Sequence, residues 1–211
     1  MNIQTNKPKR MLIATGAILG WFAILLQLYL ILEYRSTSIA ETLARYFTFF
    51  TILTNILVTI CFTSLLLDSQ TKIGKFLSKP ESLSAVTIYI VVVGLVYNFI
   101  LRFLWSPTGL QKIADELLHA ILPILFVLFW IIFVPKRTLQ WKTIVPWLLY
   151  PLVYLIIIII RGLFSGYYPY PFVDISTLGY VSVAINCVIL FCVFLGLSLF
   201  LVAIAKFIVK K

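Results

Sequence analysis

The chain has 211 residues, 62% hydrophobic and 11% charged, with a mean hydropathy of +1.08; ordinary soluble domains are about 45–50% apolar and about 25% charged. A globule of this length still exposes much of its surface, so this many apolar side chains cannot all be hidden in one core; a water-soluble fold is excluded and lipid is the solvent. Seventeen Lys and Arg against seven Asp and Glu give a net charge of +10, and the placement of those charges decides between a nucleic-acid surface and a membrane topology.

A spanning helix needs about 20 mostly apolar residues, and six runs qualify: 11–33, 43–67, 84–105, 112–134, 143–161 and 176–206. The first comes after Lys7, Lys9 and Arg10, lacks a small-residue cleavage site and reads as a retained helix. Its Gly16 and Gly20 form a close-approach motif suited to packing or assembly. The second run carries Thr48, Thr51, Asn55, Thr59 and Thr63 at spacings of three or four, so most share a face turned from lipid. Each hydroxyl can instead bond a carbonyl of its own helix, with Asn55 joining two helices. The third run ends on Asn98 and Arg102 and is broken from the fourth by Ser106-Pro107-Thr108-Gly109. The fourth opens with Asp115, Glu116 and His119, the only histidine. Pro123, Pro146 and Pro151 lie inside apolar runs, where neighbours must satisfy the freed carbonyls. Arg161 closes the fifth run, and Gly166 to Pro171 leads by way of Asp174 into the sixth.

These runs are too long, and alternate too little, for barrel strands. The expected fold is an all-α membrane bundle of six helices in a single domain, 1–211, with short loops. Cys61, Cys187 and Cys192 lack metal or disulfide spacing and read as packing residues. Counted by alternate loops, Lys7, Lys9, Arg10, Lys72, Lys75, Lys79, Lys136, Arg137, Lys142, Lys206, Lys210 and Lys211 fall on one side, against Arg35, Arg45, Arg102, Lys112 and Arg161 on the other. Positive residues stay inside, so an even number of spans and two cytoplasmic termini are expected. Five of the seven acidic residues fall outside, which puts the whole +10 on the inner side. The lysines then mark topology and anionic lipid, and no nucleic-acid partner is expected.

Inside a bilayer polar side chains are scarce and each carries weight. Asp115 and Glu116 precede His119 by four and three residues on one helical face, so either carboxylate can fix the imidazole tautomer and raise its basicity. One histidine with two carboxylates is an incomplete ligand set, so no metal or other cofactor is expected. At about 1.5 Å per residue, Thr48 and His119 each lie about one turn below the outer surface, whereas Thr59 and Thr63 are deeper. Asn98, Arg102, Arg161 and Asp174 approach the same layer, making an outer-leaflet polar pocket; the alternative is an interfacial network of ion pairs.

Three segments resemble one family, the androgen-induced (FAR-17a-like) membrane proteins and their bacterial relatives. Tyr46-Phe47-Thr48-Phe49 is similar to the family's aromatic-Leu-Thr-Phe segment, which holds a nucleophilic threonine. His119-Ala-Ile-Leu-Pro123 is similar to the catalytic histidine segment, its spacer one residue shorter than in animal members. Gly166 through Tyr170-Pro171-Phe172 resembles the Gly-spacer-Tyr-Pro-Phe segment before the last helix. The resemblance implies a six-span hydrolase of fatty acid esters of hydroxy fatty acids, in the bacterial cell (inner) membrane, with membrane lipids and a hydrophobic ester as partners. It implies Thr48 as nucleophile and His119 as base; Asp115 is the candidate orienter, and Asn98 or Arg102, with Asn55 and Arg161 behind them, the candidates for oxyanion or carboxylate binding. The alternative is a noncatalytic bundle that binds or moves a lipid or small solute through the same pocket. Transport would also need an inner polar route, for which Gln27, Thr59, Thr63 and Asn186 are the available residues.

Overall fold

A computed structural model describes residues 7–210; Lys211, one of the basic residues assigned to the inner side, lies outside them. The structure is 83% helix with no strand among the described residues, as the all-α expectation requires. In chain order the α-helices are α1 (Lys7–Glu33), α2 (Ile39–Tyr46), α3 (Phe50–Leu66), α4 (Lys72–Leu77), α5 (Pro80–Phe99), α6 (Gly109–Glu116), α7 (Leu122–Phe133), α8 (Ile144–Ser165) and α9 (Ile175–Lys210). Among the described residues five helical stretches are long and apolar enough to cross a membrane: Lys7–Glu33, Pro80–Phe103, Gly109–Phe133, Trp141–Ser165 and Ile175–Val209. The run expected as one helix over 43–67 is broken: α2 and α3 meet at 68° and count as a sixth span only when taken together. The break falls in Tyr46-Phe47-Thr48-Phe49-Phe50, aromatic and β-branched residues that lose side-chain freedom in a helix.

Backbone contacts divide the chain into two compact units, with the boundary between Thr138 and Leu139. In the first, α1 lies against α3 along Gly16 and Gly20. A Cβ at Gly16 would stand 2.4 Å from the Phe62 ring, and one at Gly20 would stand 2.2 Å from Thr59 Oγ1. The close-approach motif is therefore used inside the chain. Phe62 also meets Phe126 and Phe129 edge to face, at 5.1 and 5.4 Å between centroids. A second cluster joins Ala23, Ile24, Tyr46, Ile52, Leu117, Leu118 and Leu122, and the Tyr46 hydroxyl donates to Ile24 O at 2.7 Å, tying α2 to α1.

Gln111 near the start of α6 donates to Gln27 Oε1 at 2.8 Å. This places Gln27 at the end of the bundle where α6 begins. At the far end of α7, Lys136 donates to the carbonyls of Trp130 and Ile131, both at 2.6 Å. Ile131 O has no helical donor, because Pro135 carries no amide hydrogen, so the cation meets that carbonyl and shares Trp130 O with the Val134 amide; burial holds its ammonium below the ordinary lysine range.

The second unit is built on α8 and α9. Gly162 lets the loop fold back, since a Cβ there would fall 2.0 Å from the Tyr168 ring. Tyr170 stacks on Phe172 at 5.1 Å, and Asn186 donates to Phe172 O at 2.8 Å. Asp174 Oδ1 accepts from the Ser176 amide and hydroxyl and from the Thr177 amide, at 2.9, 2.5 and 3.3 Å. Those bonds, led by the Ser176 hydroxyl, hold its carboxyl below the usual range. Gly179, at φ 74°, interrupts the helical backbone of α9 with a conformation that glycine adopts without strain.

Candidate functional site

Thr48 sits in the break between α2 and α3. As α2 ends its ladder tightens: the Thr48 amide bonds Arg45 O at 3.0 Å instead of Ala44 O, and Phe49 turns extended. The Thr48 hydroxyl takes up the displaced acceptor, donating to Ala44 O at 2.6 Å. The side chain is buried, 6% exposed. Further along α3 the hydroxyls of Thr59 and Thr63 donate to Asn55 O and Thr59 O, four residues back. Trp21 Nε1 also donates to Thr63 Oγ1 at 3.1 Å.

His119 lies in a π turn, Leu117–Ile121, between α6 and α7, where the Leu122 amide reaches back five residues to Leu117 O. Such turns are uncommon and concentrate at functional sites. The imidazole Nδ1 stands 2.9 Å from Asp115 O and 3.3 Å from Asp115 Oδ1. Both are acceptors, so Nδ1 carries the hydrogen and the neutral ring keeps its lone pair on Nε2. Asp115 is itself almost sealed, its side chain 4% exposed. Its second carboxylate oxygen accepts from the Tyr97 hydroxyl, and the Tyr97 ring stacks on His119 with centroids 3.8 Å apart and 15° between planes. Arg102 lies over the other part of this stack, 5.3 Å from the Tyr97 centroid, and pairs with Glu116 at 2.8 Å.

The structure thus gathers Asp115, His119, Arg102 and Glu116, as the helical spacing and the shared layer suggest, and adds Tyr97. A phenol in an otherwise aliphatic stretch needs an acceptor when buried, and that is the signal the sequence offers for it. Asn98 and Asn55 face the π turn through its backbone: Asn98 Nδ2 donates to Gly94 O and His119 O at 2.8 and 3.1 Å, Asn55 Nδ2 to Thr51 O and Leu118 O at 2.9 and 3.1 Å. Arg161 belongs to the second unit, 5.0 Å from the Tyr167 ring. Among the described residues no group of three His, Cys, Asp or Glu side chains is arranged to hold a metal ion.

Chemically, a buried carboxylate that accepts from a phenol and orients an imidazole is a base held in one tautomer. The Thr48 hydroxyl, at the break between α2 and α3, is a potential nucleophile that is bonded to Ala44 O. Comparison of the chain with protein-family models, with curated proteins and with solved structures gives no match.

Proposed function

We propose that the chain is a hydrolase of lipid esters within the bacterial cell (inner) membrane, of the fatty acid ester of hydroxy fatty acid type, with six spans and both termini cytoplasmic. The observation that carries this reading is the Asp115–His119 pair, which leaves Nε2 as the basic nitrogen. Thr48 Oγ1 attacks the ester carbonyl carbon as its proton passes to His119 Nε2. The tetrahedral intermediate expels the alcohol, whose alkoxide takes that proton, and leaves an acyl-threonine. Water, deprotonated by the same nitrogen, then attacks the acyl carbon, and the threonine oxygen leaves with the proton. Asp115 keeps the ring in the required tautomer and stabilises the imidazolium. The inner-side excess of basic residues supports the orientation, and the apolar helices support lateral access for a lipid.

A second reading has its own observation. The Thr48 hydroxyl already satisfies the Ala44 carbonyl, a structural task it would have in a noncatalytic lipid-binding bundle. A fluorophosphonate probe separates the two, because it forms a covalent bond only with an activated hydroxyl. Labelling of the wild type and of Thr48→Ser, with none on Thr48→Ala or His119→Ala, is expected. Equal labelling of all four, or of none, contradicts the enzymatic reading.

A further inference from the structure

Two departures from regular helix coincide at His119, and the hydrogen bonds around them account for one another. The π turn diverts the Leu122 amide from Leu118 O to Leu117 O, and Pro123 has no amide hydrogen to offer His119 O. Two successive carbonyls therefore lose their helical donors, in a lipid-surrounded bundle where an unmet carbonyl is costly. Each is met by an asparagine from a different helix: Asn55 of α3 serves Leu118 O and Asn98 of α5 serves His119 O. Each asparagine nitrogen is also anchored to a carbonyl four residues back in its own helix. Asn55 is fully buried, and Gly94 brings α5 close enough that a Cβ there would touch His119 O and Pro123 at 3.5 Å.

We infer that Asn55 and Asn98 are positioning residues that clamp the π turn and so fix the ring orientation of His119. One extra residue in a turn rotates the helix before it by about 100° against the helix after it, so relaxing the turn would swing Asp115 and His119 relative to Pro123. Neither asparagine amide reaches the imidazole ring; both act through the carbonyls on which the turn is hung. The catalytic consequence rests on the hydrolase reading, whereas the clamp does not.

The chain's single histidine makes the test direct, since ¹⁵N-histidine labelling of the purified full-length protein gives one pair of ring signals. The wild type should show a protonated Nδ1 and an unprotonated Nε2. Asn98→Leu should move both signals toward tautomer-averaged positions and lower kcat for a lipid ester at least tenfold, with KM within about twofold. Pro123→Ala restores an amide donor for His119 O, so the double variant Asn98→Leu/Pro123→Ala should regain the wild-type signals. Unchanged signals in the single variant, or a double variant as perturbed as the single one, overturn the clamp. Should Asn98→Leu fail to fold, the double variant must recover folded protein, and failure to do so is equally contrary. Signals that match the expectation in a protein that hydrolyses no ester would leave the clamp standing and remove the hydrolase.

Discussion

A carboxylate 3% exposed is costly to keep ionised without partners, and Asp115 has two: the Tyr97 hydroxyl and the His119 ring. Tyr97→Phe removes a donor from a buried charged acceptor and should destabilise the protein by about 1–3 kcal/mol. Arg102→Gln should cost about 0–1 kcal/mol, because the Arg102–Glu116 pair is about one-third exposed on both sides and such pairs contribute little. Denaturant unfolding of the two variants in the same detergent checks the order; a larger loss for Arg102→Gln would contradict it. At this scale the sequence shows what acts within one helix. Asp115 and His119 are four apart, so helical period already suggests their pairing. Tyr97 lies on another helix and its hydroxyl is hidden in an aromatic name, so its bond to Asp115 becomes visible only with the packing.

Helices are legible from runs of apolar residues, and their ends and breaks much less so. The break at Phe47–Phe49 is invisible to hydropathy, which continues through it; what changes is which carbonyl each amide reaches. The π turn is hidden for the same reason, although Pro123 signals that His119 O needs another donor. Gly16 and Gly20 read as a close-approach motif, but spacing cannot say which helix approaches. Since the approaching helix is α3, Gly20→Val should force apart a contact built to within 2.2 Å of a missing Cβ. It should cost about 1–3 kcal/mol, measured by thermal unfolding, and a neutral result would refute the packing. Asp174 makes a different prediction at the start of α9. A carboxyl held below its ordinary value stabilises most above that value and loses its contribution as pH falls through the lowered one. Hydrogen exchange at Ser176 to Leu178 should therefore accelerate in Asp174→Ala near neutral pH, and at acidic pH the wild type should approach the variant. Identical protection at neutral pH would exclude the cap.

For the whole molecule, the broken α2–α3 pair decides the topology. If it crosses, six spans return the C-terminus to the side of the N-terminus, as a twelve-to-five division of basic residues implies. If it does not, the count is five and the termini part. A green fluorescent protein fused after Lys211 should fluoresce, and alkaline phosphatase fused within the loop 104–108 should be active; both results reversed would invert the orientation. Turnover of a fatty acid ester of a hydroxy fatty acid by the purified protein decides whether Thr48 and His119 act as a catalytic pair. Measurable hydrolysis by the wild type is expected, with a fall of about a thousandfold or more in Thr48→Ala and His119→Ala and partial retention in Thr48→Ser. Equal rates for the wild type and the two alanine variants, all correctly folded, would contradict that role.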